Sequence, residues 1–201
     1  MNNYTYIIAS LPQLSDSFDA DNFNYGNVRQ EIAEQLSEAD LQLVETLEEG
    51  FKEESLNADY YAKTGKSKNS FIRDYFDFDA RLRNMKAQYL AKRLEKQADD
   101  YLIEMPEADF DEEQAIRNIL ENTDFVSREL QMDKLKWDKA NELATFDYFN
   151  INAILAFLVK AKLVQRWAEL DAAKGEELFR KLVKEIRGTS AELDLSGGGI
   201  L

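Results

Sequence analysis

The chain has 201 residues, with 25 Lys or Arg against 39 Asp or Glu, no histidine and no cysteine, for a formal net charge of −14. Without a thiolate or an imidazole there is no disulfide framework, no zinc site of the usual kinds, no histidine general base and no serine-histidine triad. The negative balance argues against a general nucleic-acid binder, and a chain that is 44% apolar and 32% charged, with only 2 prolines and 8 glycines, reads as a helical protein able to bury a substantial core.

The opening Met1 to Pro12 lacks a basic leader and a long apolar run, so it does not read as a secretory signal, and no window is apolar enough to span a bilayer. The cytoplasm is the expected location. Tyr4, Ile7, Ile8 and Leu11 suit one face of a short helix, although Tyr4, Tyr6 and Ile8 also alternate as a strand would. Residues 12–27 are turn-rich and polar, and the expectation is an ordered loop that pins Phe18, Phe23 and Tyr25 onto the body or offers them to a partner.

A short helix is expected over Val28 to Leu36. Ser37 then begins a capping box with Asp40, ahead of an apolar stripe of Leu41, Val44, Leu47 and Phe51. Gly65-Lys66-Ser67 resembles the end of a phosphate-binding loop, but position 60, where the earlier glycine belongs, holds Tyr60, and no strand precedes it. The segment reads as a basic loop between helices.

Residues 71–96 form the organising stretch. Phe71, Tyr75, Phe78, Leu82, Met85, Tyr89 and Leu94 recur at spacings near three and four, while Arg81, Arg83, Lys86, Lys92, Arg93 and Lys96 decorate the rest, the pattern of an amphipathic helix. A similar lead-in returns 73 residues later: Asp74 to Leu82 pairs with Asp147 to Leu155, and in the same register Arg93 meets Arg166 and Leu94 meets Trp167. We read this as an internal repeat of a helix start. Asp77 or Asp79 in one copy, and Asn150 or Asn152 in the other, would cap the first turn, with Tyr75, Phe76, Tyr148 and Phe149 orienting the helices in the core. A shared capping recipe without duplication is the other account.

Charge is patterned along the chain. Residues 31–59 hold ten acidic side chains against Lys52 alone, residues 63–96 ten basic against four acidic, and residues 99–113 eight acidic and none basic. Arg81, Arg83, Lys86, Arg93 and Lys96 are therefore candidates for a partner-docking face, with pairing to the two acidic segments as the competing expectation.

Beyond Pro106, Asp109 is expected to cap a helix with Glu112 as its reciprocal partner and Ala115, Ile116, Ile119 and Leu120 as its buried side. Another helix is expected from about Asp124 to Leu143. The helix starting near Asn150 is apolar on more than one face and should be packed from several sides. A break near Lys174-Gly175, a final helix over Glu176 to Ile186, and a small, Gly-rich tail over 189–201 complete the reading. The pairs Asp77 with Asp79 and Asp109 with Asp111 stand where caps are expected and lack the glycine turn of a cation loop, so no catalytic, cofactor or metal residues are assigned.

Two segments carry a resemblance. Phe76 to Asn84 followed by Ala91-Lys92-Arg93 resembles the helical repeat of the central-stalk subunit that joins the rotor shaft to the membrane ring in archaeal and bacterial V-type ATPases, and Asn152 to Leu158 with Lys162 and Arg166 resembles a second copy. The opening Tyr4 to Pro12 is similar to the start of a small uncharacterised bacterial family associated with V-type ATPase operons. The stalk subunit has three such units and is longer. The resemblance implies an all-helical, non-catalytic accessory or central-stalk-like subunit, without cofactor, whose partners are V-type ATPase subunits and which reaches the membrane only through the complex.

The expected fold is thus an all-α bundle of amphipathic helices with two repeat-like units packed into one compact body: an N-terminal segment over 1–27, units over 28–105 and 106–188, and a tail over 189–201. A helical adaptor or regulatory protein unrelated to ATPases is the alternative.

Overall fold

The computed structural model describes residues 2–18 and 23–170. Among these, every regular element is helical: α1 (Thr5–Ser10), α2 (Tyr25–Ala33), α3 (Glu38–Glu49), α4 (Ala58–Thr64), α5 (Ser70–Arg93), α6 (Glu113–Glu121), α7 (Phe125–Leu143) and α8 (Ile151–Glu169), with short 3-10 turns at Glu53–Ser55 and Asp99–Tyr101. The all-helical expectation holds. The break near Lys174, the final helix and the Gly-rich tail lie outside the described residues.

Helix α1 forms where its apolar spacing favoured a helix, and its entrance is held from two sides. The buried Tyr4 hydroxyl donates to Asp40 at the start of α3, and the Tyr4 amide donates to the Phe149 carbonyl at 2.7 Å. In the following loop Phe18 is buried with φ 59°, a left-handed backbone that a bulky side chain rarely adopts. Its ring packs edge-on to Trp137 at 5.7 Å and stacks on Trp167 at 6.0 Å, so burial of the ring holds the strained backbone. Phe23 and Tyr25 are partly buried against the same core.

Helix α2 begins three residues earlier than Val28, because Asn24 caps it by accepting from the Asn27 amide at 3.0 Å. Ser37 caps α3 as expected, accepting from the Asp40 amide at 3.3 Å. The reciprocal half of the box differs: Asp40 accepts from hydroxyls, and the Ser37 amide donates to the Tyr4 hydroxyl at 3.3 Å. Helix α4, which the sequence pattern did not single out, is capped by Asn57 and buries Tyr60, Tyr61 and Thr64.

The organising helix α5 starts at Asn69, whose side chain accepts from the Ile72 amide at 2.9 Å. This corrects the assignment of Asp77 and Asp79 as caps: both lie two turns inside the helix, where backbone amides already have partners. Burial of Ile72 and Phe76 along with Phe71, Tyr75, Phe78 and Leu82 shows that α5 is packed on more than one side, by α4 and by α6 and α7. Leu94, placed on the apolar stripe by its spacing, is exposed at the C-cap. Helix α6 starts after Glu112, which makes no side-chain cap, so Asp109 and Glu112 do not form the expected box. Helix α7 starts where expected, with Asp124 as its cap, and of the two cap candidates for α8 it is Asn150 that serves.

The apolar interior forms two clusters. The larger joins Tyr4, Ile7, Phe18, Ile32, Val44 and Leu47 to the first half of α5, to Trp137 and to nearly all of α8; the smaller joins Phe78 and Leu82 to Ile116, Ile119, Leu120 and Met132. Neither respects a boundary at 105 and 106, because α6 and α7 cover the second half of α5 while α8 is wrapped by α2, α3 and α7. Helix α8 is the central one, with eleven buried residues spread around its circumference.

Candidate interaction site

Helices α5, α7 and α8 leave between them a groove of about 590 Å³, continued by Gly50, Phe51, Tyr101 and Ile103 at its rim. Its floor is apolar, from Leu82, Met132 and Leu163, and its walls carry a connected set of ion pairs.

Asp79, on the third turn of α5, is buried and accepts from the Tyr61 hydroxyl at 2.7 Å and from Arg83 Nε at 2.8 Å, with Lys136 Nζ at 3.9 Å. Burial alone would raise its pKa, yet Lys136 and Arg83, with the two hydrogen bonds, hold the carboxyl below its ordinary range. The same contacts push the Tyr61 phenol up, by burial first and then by the neighbouring Asp79 charge.

Asp133 of α7 is the most enclosed carboxylate of the groove, its side chain 1% exposed. It accepts from Arg166 at 2.5 Å and from the Trp167 indole at 2.9 Å, both on α8. Glu129, one turn earlier, takes the other Arg166 nitrogen at 3.0 Å and Lys86 of α5 at 3.2 Å. Burial raises the Glu129 pKa and its two cations lower it further than that, leaving it below the ordinary value. Arg166 thus ties α7 to α8, and Glu129 and Asp79 tie α7 to α5.

These pairs locate the expected docking residues. Arg83 and Lys86 face the groove but are spoken for, by Asp79 and Glu129. Arg81 turns back to Asp77 at 2.8 Å and to the Pro106 carbonyl at 3.1 Å, beside the Phe110 ring. Among the described residues, neither acidic segment supplies an ion-pair partner to these three cations; the carboxylates that pair with them come from α5 itself and from α7. Arg93 lies over the Tyr89 ring at 5.1 Å, and both Arg93 and Lys96 are exposed.

The repeat positions separate in the same way. Tyr75 and Phe76 are buried, as expected of core aromatics, whereas Tyr148 and Phe149 are 64% and 54% exposed and do not orient helices in the core. Asn150 is a true cap, accepting from the Asn152 amide at 2.9 Å. Asn152, in register with Asp79, is a buried polar node like it, donating to Asp147 at 2.8 Å and accepting from Asn69 at 2.7 Å. What the two copies share is a buried polar node rather than a cap.

Glu129, Asp133 and Lys136 escaped the sequence reading, and Arg166 entered it only as a repeat position, without its carboxylate partners. One signal was present: Asp133 shares the buried stripe of α7 with Trp137 and Ala140, and a carboxylate on a buried stripe demands a cation from another helix.

The groove lining holds five cations and five carboxylates, counting Glu53, Lys162 and Glu169 with those above, so it has no net preference for an anion. No group of three carboxylates able to hold a metal occurs among the described residues.

A family model described as a protein of unknown function (DUF2764) matches residues 42–190, a span that includes every helix lining the groove. No curated protein and no solved structure matches the chain.

Proposed function

We propose that this chain, which belongs to the DUF2764 family of proteins of unknown function, is a non-catalytic accessory or central-stalk-like subunit of a V-type ATPase, acting through protein contacts on the cytoplasmic side. The observation that carries the reading is where the residues resembling the central-stalk repeat lie. Phe76 to Asn84 and Asn152 to Leu158 sit on α5 and α8, the two helices that build the core and, with α7, frame the groove. A resemblance seated in the frame of the molecule concerns its architecture and the groove that follows from it. The groove's paired charges over an apolar floor provide register for a partner helix more than affinity for an ion.

Among the described residues no helix is long and apolar enough to cross a membrane, and the proposal puts the chain at the membrane through its partners alone. Native purification of the ATPase from host membranes, with mass spectrometry of the intact complex and of its assembly intermediates, tests the reading. The chain is expected at fixed stoichiometry in one or the other. Repeated absence from both would sink it and leave a helical adaptor unrelated to ATPases.

A further inference from the structure

The corner between α7 and α8, Thr145 to Phe149, exposes three aromatic side chains in close succession: Phe146 at 87%, Tyr148 at 64% and Phe149 at 54%. Single exposed aromatics are ordinary, but three in one tight corner are not. The corner is also held rigidly. Asp147 Oδ1 accepts from the Asn150 side chain and Oδ2 from the Asn152 side chain at 2.8 Å, the Asp147 amide donates to the Ala144 carbonyl at 3.0 Å, and the Phe149 carbonyl accepts from the Tyr4 amide at 2.7 Å. None of these bonds uses an aromatic side chain, so the scaffold fixes the backbone while leaving the rings to solvent.

The basic loop before α5 reaches the same end of the bundle. Asn69, which caps α5, donates to Asn152 at 2.7 Å, and Lys66 and Lys68 stand just before it. Both lysines are exposed and, among the described residues, make no ion pair or hydrogen bond through their side chains. Most of the other cations near the core are paired, so these two are distinguished by having their charge available.

We propose that this end of the molecule, Phe146, Tyr148 and Phe149 with Lys66 and Lys68, is a docking surface for an acidic protein segment that carries apolar side chains between its carboxylates. The corner presents large rings on a backbone that is already fixed, so that ordering on binding is confined to the few torsions of the side chains, which favours aromatic anchors. The lysines select for carboxylates at the edge of the contact. A protein segment fits better than an anionic lipid surface because of scale: the chain's net charge of −14 is screened beyond about 8 Å for a narrow segment, whereas a charged plane meets the whole molecule. The inference does not depend on the ATPase reading, and its test does not use the ATPase.

The test titrates the isotopically labelled full chain with two helical peptides of equal length and identical Leu and Phe stripe, one flanked by Glu and the other by Lys, and with vesicles of phosphatidylcholine containing phosphatidylserine. Backbone amide shifts are expected to move at residues 66–68 and 144–149 with the Glu-flanked peptide. Its affinity should drop about tenfold in the double substitution F146S and Y148S, which alters only exposed rings, and about threefold in K66E with K68E, with weaker binding at high salt. Thermal melts of both variants should match the parent, which separates lost binding from lost folding. Equal binding of the two peptides, shifts elsewhere on the molecule, no shift with either peptide, or preferential binding to the vesicles would overturn the proposal.

Discussion

Asn69 and Asn152 join the starts of the two helices on which the molecule is built: the Asn69 side chain donates to the Asn152 side chain at 2.7 Å while its own oxygen caps α5. Asn152 in turn donates to Asp147. One amide pair therefore fixes the relative height of α5 and α8 and holds the α7–α8 corner. Asn69→Ala should cost about 1 to 2 kcal/mol from the lost cap, and Asn152→Ala a similar amount from the unsatisfied Asp147 and Asn69 groups. Urea denaturation of both single variants and the double variant checks this. The double should be less destabilised than the sum of the singles, because the shared bond is lost only once.

Asp79 governs a pH dependence. Its folded pKa, and that of Glu129, lie below their ordinary values of 3.8 and 4.5, because neighbouring cations more than offset burial. A carboxylate whose folded pKa is depressed contributes stability that is present above its unfolded pKa and lost as pH falls through the folded one. The melting temperature should accordingly be flat above about pH 5.5 and fall below about pH 4.5. Asp79→Ala at neutral pH should cost about 3 to 5 kcal/mol, since Arg83 and the Tyr61 hydroxyl lose their acceptor inside the protein. Asp79→Asn should flatten the acid limb, and a limb of unchanged steepness would remove Asp79 from this account.

Gly50 ends α3 against the Phe76 ring of α5. A Cβ there would overlap the buried Phe76 ring and lie 2.6 Å from the Tyr60 hydroxyl, which donates to the Thr46 carbonyl. The glycine is needed for space, since its φ of −70° suits any residue. Gly50→Ala should destabilise by about 1 to 3 kcal/mol, read as a lower denaturation midpoint with unchanged slope.

Charge reversal divides the basic face of α5 in two. Arg83→Glu with Lys86→Glu places carboxylates against Asp79 and Glu129 and should lower the melting temperature markedly. Arg93→Glu with Lys96→Glu, on the exposed end, should change it little. If both pairs behave alike, the groove pairs do not hold α5 to α7. A loss of partner binding can be assigned to a surface only for the second pair, where folding is untouched.

The sequence by itself determined the helical class and most helix positions, because spacing, caps and composition are local. Ser37, Asp124 and Asn150 announce their helices through bonds to amides two or three residues away. The apolar surplus of α8 likewise foretold a helix packed from several sides. Local pattern was insufficient wherever two side chains of one type could serve two purposes. Asp77, Asp79, Asn150 and Asn152 look equivalent in the repeat, yet one is a cap, one pairs at the surface and two are buried nodes, according to how far upstream another cap, Asn69, starts the helix. The partners of Arg83, Lys86 and Arg166 lie on α7 and within α5 rather than in the acidic runs. The exposure of Tyr148 and Phe149 was likewise decided by the tertiary structure, since an aromatic beside a cap turns inward only where a neighbouring helix covers it, and none among the described residues covers these two.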